Sequence, residues 1–176
     1  MFHLVTGGSG SGKSLYAEER IAEFKDGPRI YIATMNASDP ESMSRIDRHR
    51  KMRRNKNFRT VECFTGLSGL QLPAGCNVLL EDMGNLMANE MFMQDGAGIH
   101  AFEAVRDGVD HLMGIAGNLV IVTNEIFSDG IRYQDSAVLY QEYMGLINQY
   151  MAGKAGRVTE LVYGIPVTVK DMMKRV

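Results

Sequence analysis

Short apolar runs alternate with longer segments of mixed polarity along the whole chain. The apolar runs predict strands at Phe2–Thr6, Arg29–Ala33, Arg59–Cys63, Asn77–Leu80, Leu119–Thr123, Val158–Val162 and Ile165–Val169. Val78-Leu79-Leu80 and Leu119-Val120-Ile121-Val122 are continuously apolar, the pattern of strands buried on both faces of a parallel sheet. Helical spacing fills the intervals. Ala17, Ile21 and Phe24 form one stripe over Ser14–Phe24, and Asp26-Gly27-Pro28 stops it. Asp39-Pro40-Glu41 is a helix start signal for a segment running to about Arg54. Further helices are expected over about His100–Ala116 and Gln134–Ala152. This alternation predicts a single α/β domain over residues 1–176, with a mostly parallel central sheet flanked by helices. The last two strands, joined at Tyr163-Gly164, predict a hairpin added at the sheet's edge.

Composition narrows the function classes. Nineteen Lys and Arg oppose 21 Asp and Glu, for a formal charge of −2, which disfavours a general nucleic-acid binder. No apolar run approaches the roughly 20 residues that span a bilayer. Met1 is followed directly by Phe2-His3-Leu4-Val5-Thr6-Gly7 without a charged leader, so a cytoplasmic protein is expected. Cys63 and Cys76 form no CxxC pair; free thiols are expected and zinc is not.

Gly7-Gly8-Ser9-Gly10-Ser11-Gly12-Lys13-Ser14 matches GxxxxGK[ST], between a predicted strand and a predicted helix. Glycines let backbone N–H groups close around phosphate oxygens, and the helix N-terminus adds partial positive charge. Lys13 is expected to reach the β- and γ-phosphates, and the Ser14 hydroxyl to hold Mg²⁺. The dinucleotide pattern GxGxxG fails, because its last position would be Lys13 or Leu15. A second metal-organising group is expected at the end of another strand. Glu81 directly follows Val78-Leu79-Leu80 and is preferred, with Asp82 as the alternative.

Between positions 45 and 59 lie 8 of the 19 basic residues, surrounding His49. Cationic neighbours favour a neutral, nucleophilic imidazole and attract a triphosphate. A histidine so placed can attack phosphorus covalently; a solvated basic helix with an incidental histidine is the other reading. His3 and His111 read as structural or exposed, and His100 as a loop or helix-start residue. Met83, Met87 and Met91 recur at helical spacing as a core or subunit-contact stripe. Asn124-Glu125, ending a strand, sits where open α/β sheets bind ligands.

Taken together, Leu4–Ser9 with Ser11–Ser14, Tyr31–Thr34, Arg45-Ile46 with His49-Arg50, Thr60-Val61-Glu62, Leu79–Glu81 with Asn89, Val122–Glu125, Gly145 with Asn148-Gln149, and Gly164-Ile165-Pro166 with Lys170 resemble the bifunctional adenosylcobinamide kinase/adenosylcobinamide-phosphate guanylyltransferase family of cobalamin biosynthesis. The resemblance implies a RecA-like P-loop fold, GTP and/or ATP as substrates beside the corrinoid, and a trimer. It places the GMP-carrying histidine at His49. It places nucleotide contacts at Gly7, Gly8, Ser9, Gly10, Ser11, Gly12, Lys13 and Ser14, at Ala33, Thr34 and Met35, at Arg50, Lys51, Met52 and Arg53, and at Glu62 and Glu81. Gly10 stands where many members carry arginine, and Phe58 where tryptophan is usual. Gly130-Ile131-Arg132 and Tyr140-Gln141 also depart from the pattern. A P-loop kinase of another small alcohol, or a nucleotide-binding paralogue without turnover, are the alternative functions.

Overall fold

The computed structural model describes residues 1–36, 43, 44, 47, 51, 54, 56–126 and 135–172. Seven strands form one sheet: β1 (Phe2–Gly7), β2 (Arg29–Ala33), β3 (Phe58–Glu62), β4 (Asn77–Glu81), β5 (Asn118–Val122), β6 (Arg157–Val162) and β7 (Ile165–Asp171). Their order is β3-β2-β4-β5-β1-β6-β7. All pairs are parallel except β6–β7. The expected edge hairpin is therefore present, as are all seven expected strands, each within one or two residues of its expected ends.

Alternation along the central strands explains the layers. Val78 and Leu80 face one side with Leu4, Ile32, Leu119 and Ile121, while Leu79 faces the other with Val5, Val120 and Val122. On the second face lies α1 (Lys13–Ala22), contributing Ala17 and Ile21 as its spacing predicted. The first face is covered by α2 (Met83–Phe92), α3 (Ala101–Ile115) and α4 (Asp135–Lys154). Each fully buried Leu or Ile contributes about 1.5–3 kcal/mol of transfer free energy.

The helix α2 was not among the expected elements. Its side chains are apolar on more than one face, and Met83, Leu86 and Met87 are all fully buried. The methionine stripe thus belongs to the core, with Met91 packed against it. The start signal is Asp82, whose side chain accepts the Gly84 N–H at 2.7 Å and caps the helix. At Gly108 a Cβ would stand 2.7 Å from the Leu67 Cβ, so glycine sets how closely α3 approaches that turn. His111, on α3, bonds the Leu70 carbonyl at 2.8 Å, and His100 precedes the same helix as its N-cap. Cys63 and Cys76 are buried free thiols. Among the described residues no helix is long and apolar enough to cross a membrane.

Candidate functional site

Parallel pairing brings the C-terminal ends of β1, β2, β4, β5 and β6 to one edge of the sheet. There Gly7 of β1 opens the phosphate loop. Gly7 has φ 144°, and a Cβ would lie 2.5 Å from the Leu161 carbonyl oxygen of β6, so no other residue fits between the loop and that strand. Gly12 caps α1 in the left-handed region, φ 91°, turning the chain from loop to helix. Tyr16 N–H bonds the Gly12 carbonyl, so the N–H groups of the first turn remain directed at the loop. Lys13 is 7% exposed and its Nζ donates to the Gly8 carbonyl at 2.7 Å, curling back across the loop. Burial lowers its pKa, against the raising effect of Asp82 and Glu81.

Glu81 is the last residue of β4. Its Oε1 accepts the Ser14 hydroxyl at 2.5 Å, and its Oε2 is buried with no partner among the described residues. Burial pushes the carboxyl up to about 8; the Ser14 hydrogen bond and Lys13 pull it down, while Asp82 and Glu18 add to the rise. A carboxyl group with one orphaned oxygen, touching a hydroxyl at the base of a phosphate loop, suits a hard oxygen-seeking cation, whose charge would favour its ionised form. Ser14 and Glu81 thus fit Mg²⁺ by their chemistry.

Asp82 is occupied differently. Asn124 Nδ2 donates to both its oxygens at 2.8 and 2.7 Å, alongside the Gly84 N–H. Burial raises its pKa, and these hydrogen bonds and Lys13 oppose the rise. Asn124 is fixed in turn through Asn148, which also accepts the Thr123 hydroxyl at 2.6 Å. Tyr140, one of the departures from the family pattern, donates its hydroxyl to the Gly84 carbonyl at 3.2 Å.

Ala33 ends β2 beside Glu81. The Thr34 hydroxyl is used within the fold: it lies 3.0 Å from the Glu81 carbonyl and 2.8 Å from that of Asp82, and accepts the Asp82 N–H. Asn89 Nδ2 holds the Thr34 carbonyl at 2.8 Å, and Met35 follows, half-buried. Glu62 ends β3 at the exposed edge, in register with Ala33. Phe58, where tryptophan is usual, meets Tyr31 edge to face at 6.1 Å. His49, Arg50, Met52, Arg53 and Gly130–Arg132 lie outside the described residues; Lys51 is helical and exposed. Sequence reasoning missed Glu18. It is fully buried on α1, four residues beyond Ser14, and pairs with Lys56 at 2.7 Å. Its position on the apolar stripe beside Ala17 and Ile21 was the available signal.

A profile described as cobinamide kinase / cobinamide phosphate guanyltransferase (CobU) matches residues 3–169. The chain belongs to this CobU family. The bifunctional adenosylcobalamin biosynthesis protein CobU of Salmonella typhimurium is 33% identical, covering 97% of this chain and 100% of its own length. The Escherichia coli protein of the same name is 32% identical with the same coverage. CobP of Pseudomonas aeruginosa is 30% identical, over 97% of this chain and 98% of its own. Among solved structures, flagellar accessory protein FlaH from Methanocaldococcus jannaschii aligns with TM-score 0.46 at 8% identity, covering 97% of this chain and 78% of that one.

Proposed function

We propose that this CobU-family chain phosphorylates the aminopropanol hydroxyl of adenosylcobinamide and then transfers GMP from GTP to adenosylcobinamide phosphate, giving adenosylcobinamide-GDP. Family membership over nearly the whole chain supports the activity. The observation that carries the site is the Ser14–Glu81 contact beneath the phosphate loop, with Lys13 curled across that loop.

In the kinase step the hydroxyl oxygen attacks the γ-phosphorus of a bound triphosphate, the β–γ bridging bond breaks, the nucleoside diphosphate leaves and the hydroxyl proton is released to solvent. The chain contributes positioning and charge: loop N–H groups hold phosphate oxygens and Lys13 neutralises charge at the β- and γ-phosphates. Ser14 and Glu81 would hold Mg²⁺, which when bound supplies positive charge to the phosphate oxygens. In the guanylyl step a ring nitrogen of His49 attacks the α-phosphorus of GTP. The α–β bridging bond breaks and pyrophosphate leaves. The phosphate of adenosylcobinamide phosphate then attacks that phosphorus and releases His49. Arg50, Lys51 and Arg53 keep the imidazole neutral and gather the triphosphate. Ala33, Thr34, Met35, Met52, Glu62 and Glu81 complete the nucleotide contacts. A trimer in the cytoplasm is part of this reading.

The test is incubation with α-labelled GTP. Wild type is expected to acquire an acid-labile, alkali-stable label, and His49→Asn to lose it while still binding GTP. Equal labelling of both proteins removes His49 from the reaction.

A further inference from the structure

The turn joining β6 to β7 breaks a local rule with no return in packing. Tyr163 has φ 49° and Gly164 φ 82°, two consecutive left-handed residues as in a type I′ hairpin turn. Asn or Gly meets that conformation at lower cost than an aromatic residue does. Tyr163 nevertheless occupies it, and it is 95% exposed, so the ring repays none of that cost by burial. A residue that strains its backbone while staying exposed calls for a reason outside the packing of this chain, and such strain clusters at functional sites.

Its location says what the ring meets. The N–H of Gly164 donates to the Ser11 carbonyl of the phosphate loop at 3.0 Å, and a Cβ on Gly12 would stand 3.8 Å from the Gly164 Cα. The Tyr163 Cα, about 2.4 Å from that amide nitrogen by standard geometry, therefore sits within roughly 5.5 Å of a loop carbonyl. Leu15, three residues beyond Gly12 and 46% exposed, offers a second uncovered apolar side chain in the first turn of α1. A nucleotide whose phosphates fill the loop has its base outside it, on one flank of β1 or the other. The β2–β3 flank holds Ala33–Met35 and Glu62. The β6–β7 flank holds Tyr163.

We propose that the Tyr163 ring stacks on the nucleobase of the phosphoryl donor, on the β6–β7 flank of the phosphate loop. The inference rests on the kinase reading above and adds a base site separate from the β2–β3 flank, so the two reactions orient their nucleotides on opposite sides of one phosphate loop. Stacking on a π-face is tolerant of base identity, so ATP and GTP both serve as donor.

Tyr163→Asn tests it, because asparagine suits the turn and removes the ring. The KM for ATP in cobinamide phosphorylation is expected to rise about tenfold with kcat within about twofold, and Tyr163→Phe to restore it. Inhibition by inorganic tripolyphosphate, which has no base, is expected to stay unchanged in Tyr163→Asn. Labelling by α-labelled GTP is expected to stay within about twofold. An unchanged KM for ATP, an equal loss of tripolyphosphate binding, or a rise in the KM for cobinamide in its place overturns the proposal. A parallel measurement needs no turnover. The fluorescence of 2-aminopurine riboside triphosphate should be quenched by wild type and Tyr163→Phe but not by Tyr163→Asn; equal quenching by all three overturns the stacking. If wild type quenches but does not phosphorylate cobinamide, the kinase reading fails and the base site stands.

Discussion

Glu81 and Asp82 are consecutive carboxylates with different partners, and substitution should separate them. Among the described residues the Glu81 carboxyl meets the Ser14 hydroxyl alone and keeps one oxygen unpartnered, so Glu81→Gln replaces an oxygen that would face the metal with an amide while an amide oxygen can still accept from Ser14. Mg²⁺-dependent turnover is expected to fall about a hundredfold or more while the melting temperature holds. Asp82 is bound by Asn124 and caps α2. Asparagine caps as well as aspartate, so Asp82→Asn is expected to cost about 1 kcal/mol, mainly from the Asn124 contact, and less than tenfold in activity. Parallel steady-state assays and thermal melts check both. Lys13→Ala, which removes the loop's side-chain cation, should reduce both reactions by orders of magnitude in a folded protein. Glu81 was legible from sequence because a continuously apolar strand ends beside it. The employment of Asp82 was not, because its partner Asn124 lies 42 residues away and only the sheet order brings the two together.

At the scale of elements, β3 is an edge strand, and Lys56 just before it ties it to α1. Lys56 pairs through Nζ with buried Glu18, and its carbonyl accepts Arg29, which also holds the Ala22 and Phe24 carbonyls at the end of α1. Lys56→Met leaves the Glu18 carboxylate buried and uncompensated, at an expected cost of about 3–5 kcal/mol in urea unfolding. Lys56→Met with Glu18→Leu should recover most of it, since an apolar pair of similar volume also fills the site. If the double variant is no more stable than the single one, the cost lies elsewhere in the β3 edge. Strands were legible here because burial on both faces leaves unbroken apolar runs. The helix α2 was not, since the same two-sided burial erases the polar face that marks a helix, and Glu90 hides inside it by accepting the Gly66 and Ala97 N–H groups.

For the whole molecule, acid stability should carry the mark of His3. This residue is 1% exposed on β1, bonded to Thr159 of β6 at 2.9 Å and set edge-on to Tyr16 of α1. Burial, then Arg157 and Arg20, lower its pKa from 6.5 to about 4, with Asp171 opposing. Between those values the unfolded chain binds a proton that the folded chain refuses, so stability is full above pH 6.5 and declines as pH falls toward 4. The contribution is of order 3 kcal/mol. Urea unfolding across that range should show a shallower decline in His3→Gln than in wild type; identical slopes would assign the acid sensitivity to other groups. The strand order bears on how such a molecule is made. Because β5 lies between β1 and β4, the phosphate loop and Glu81 belong to strands that never pair directly. During synthesis the ribosome must release residues 118–122 before that gap can be filled. Both halves of the Ser14–Glu81 pair are thus made long before the strand that sets their spacing, and a nascent chain stopped short of β5 should fail to retain nucleotide.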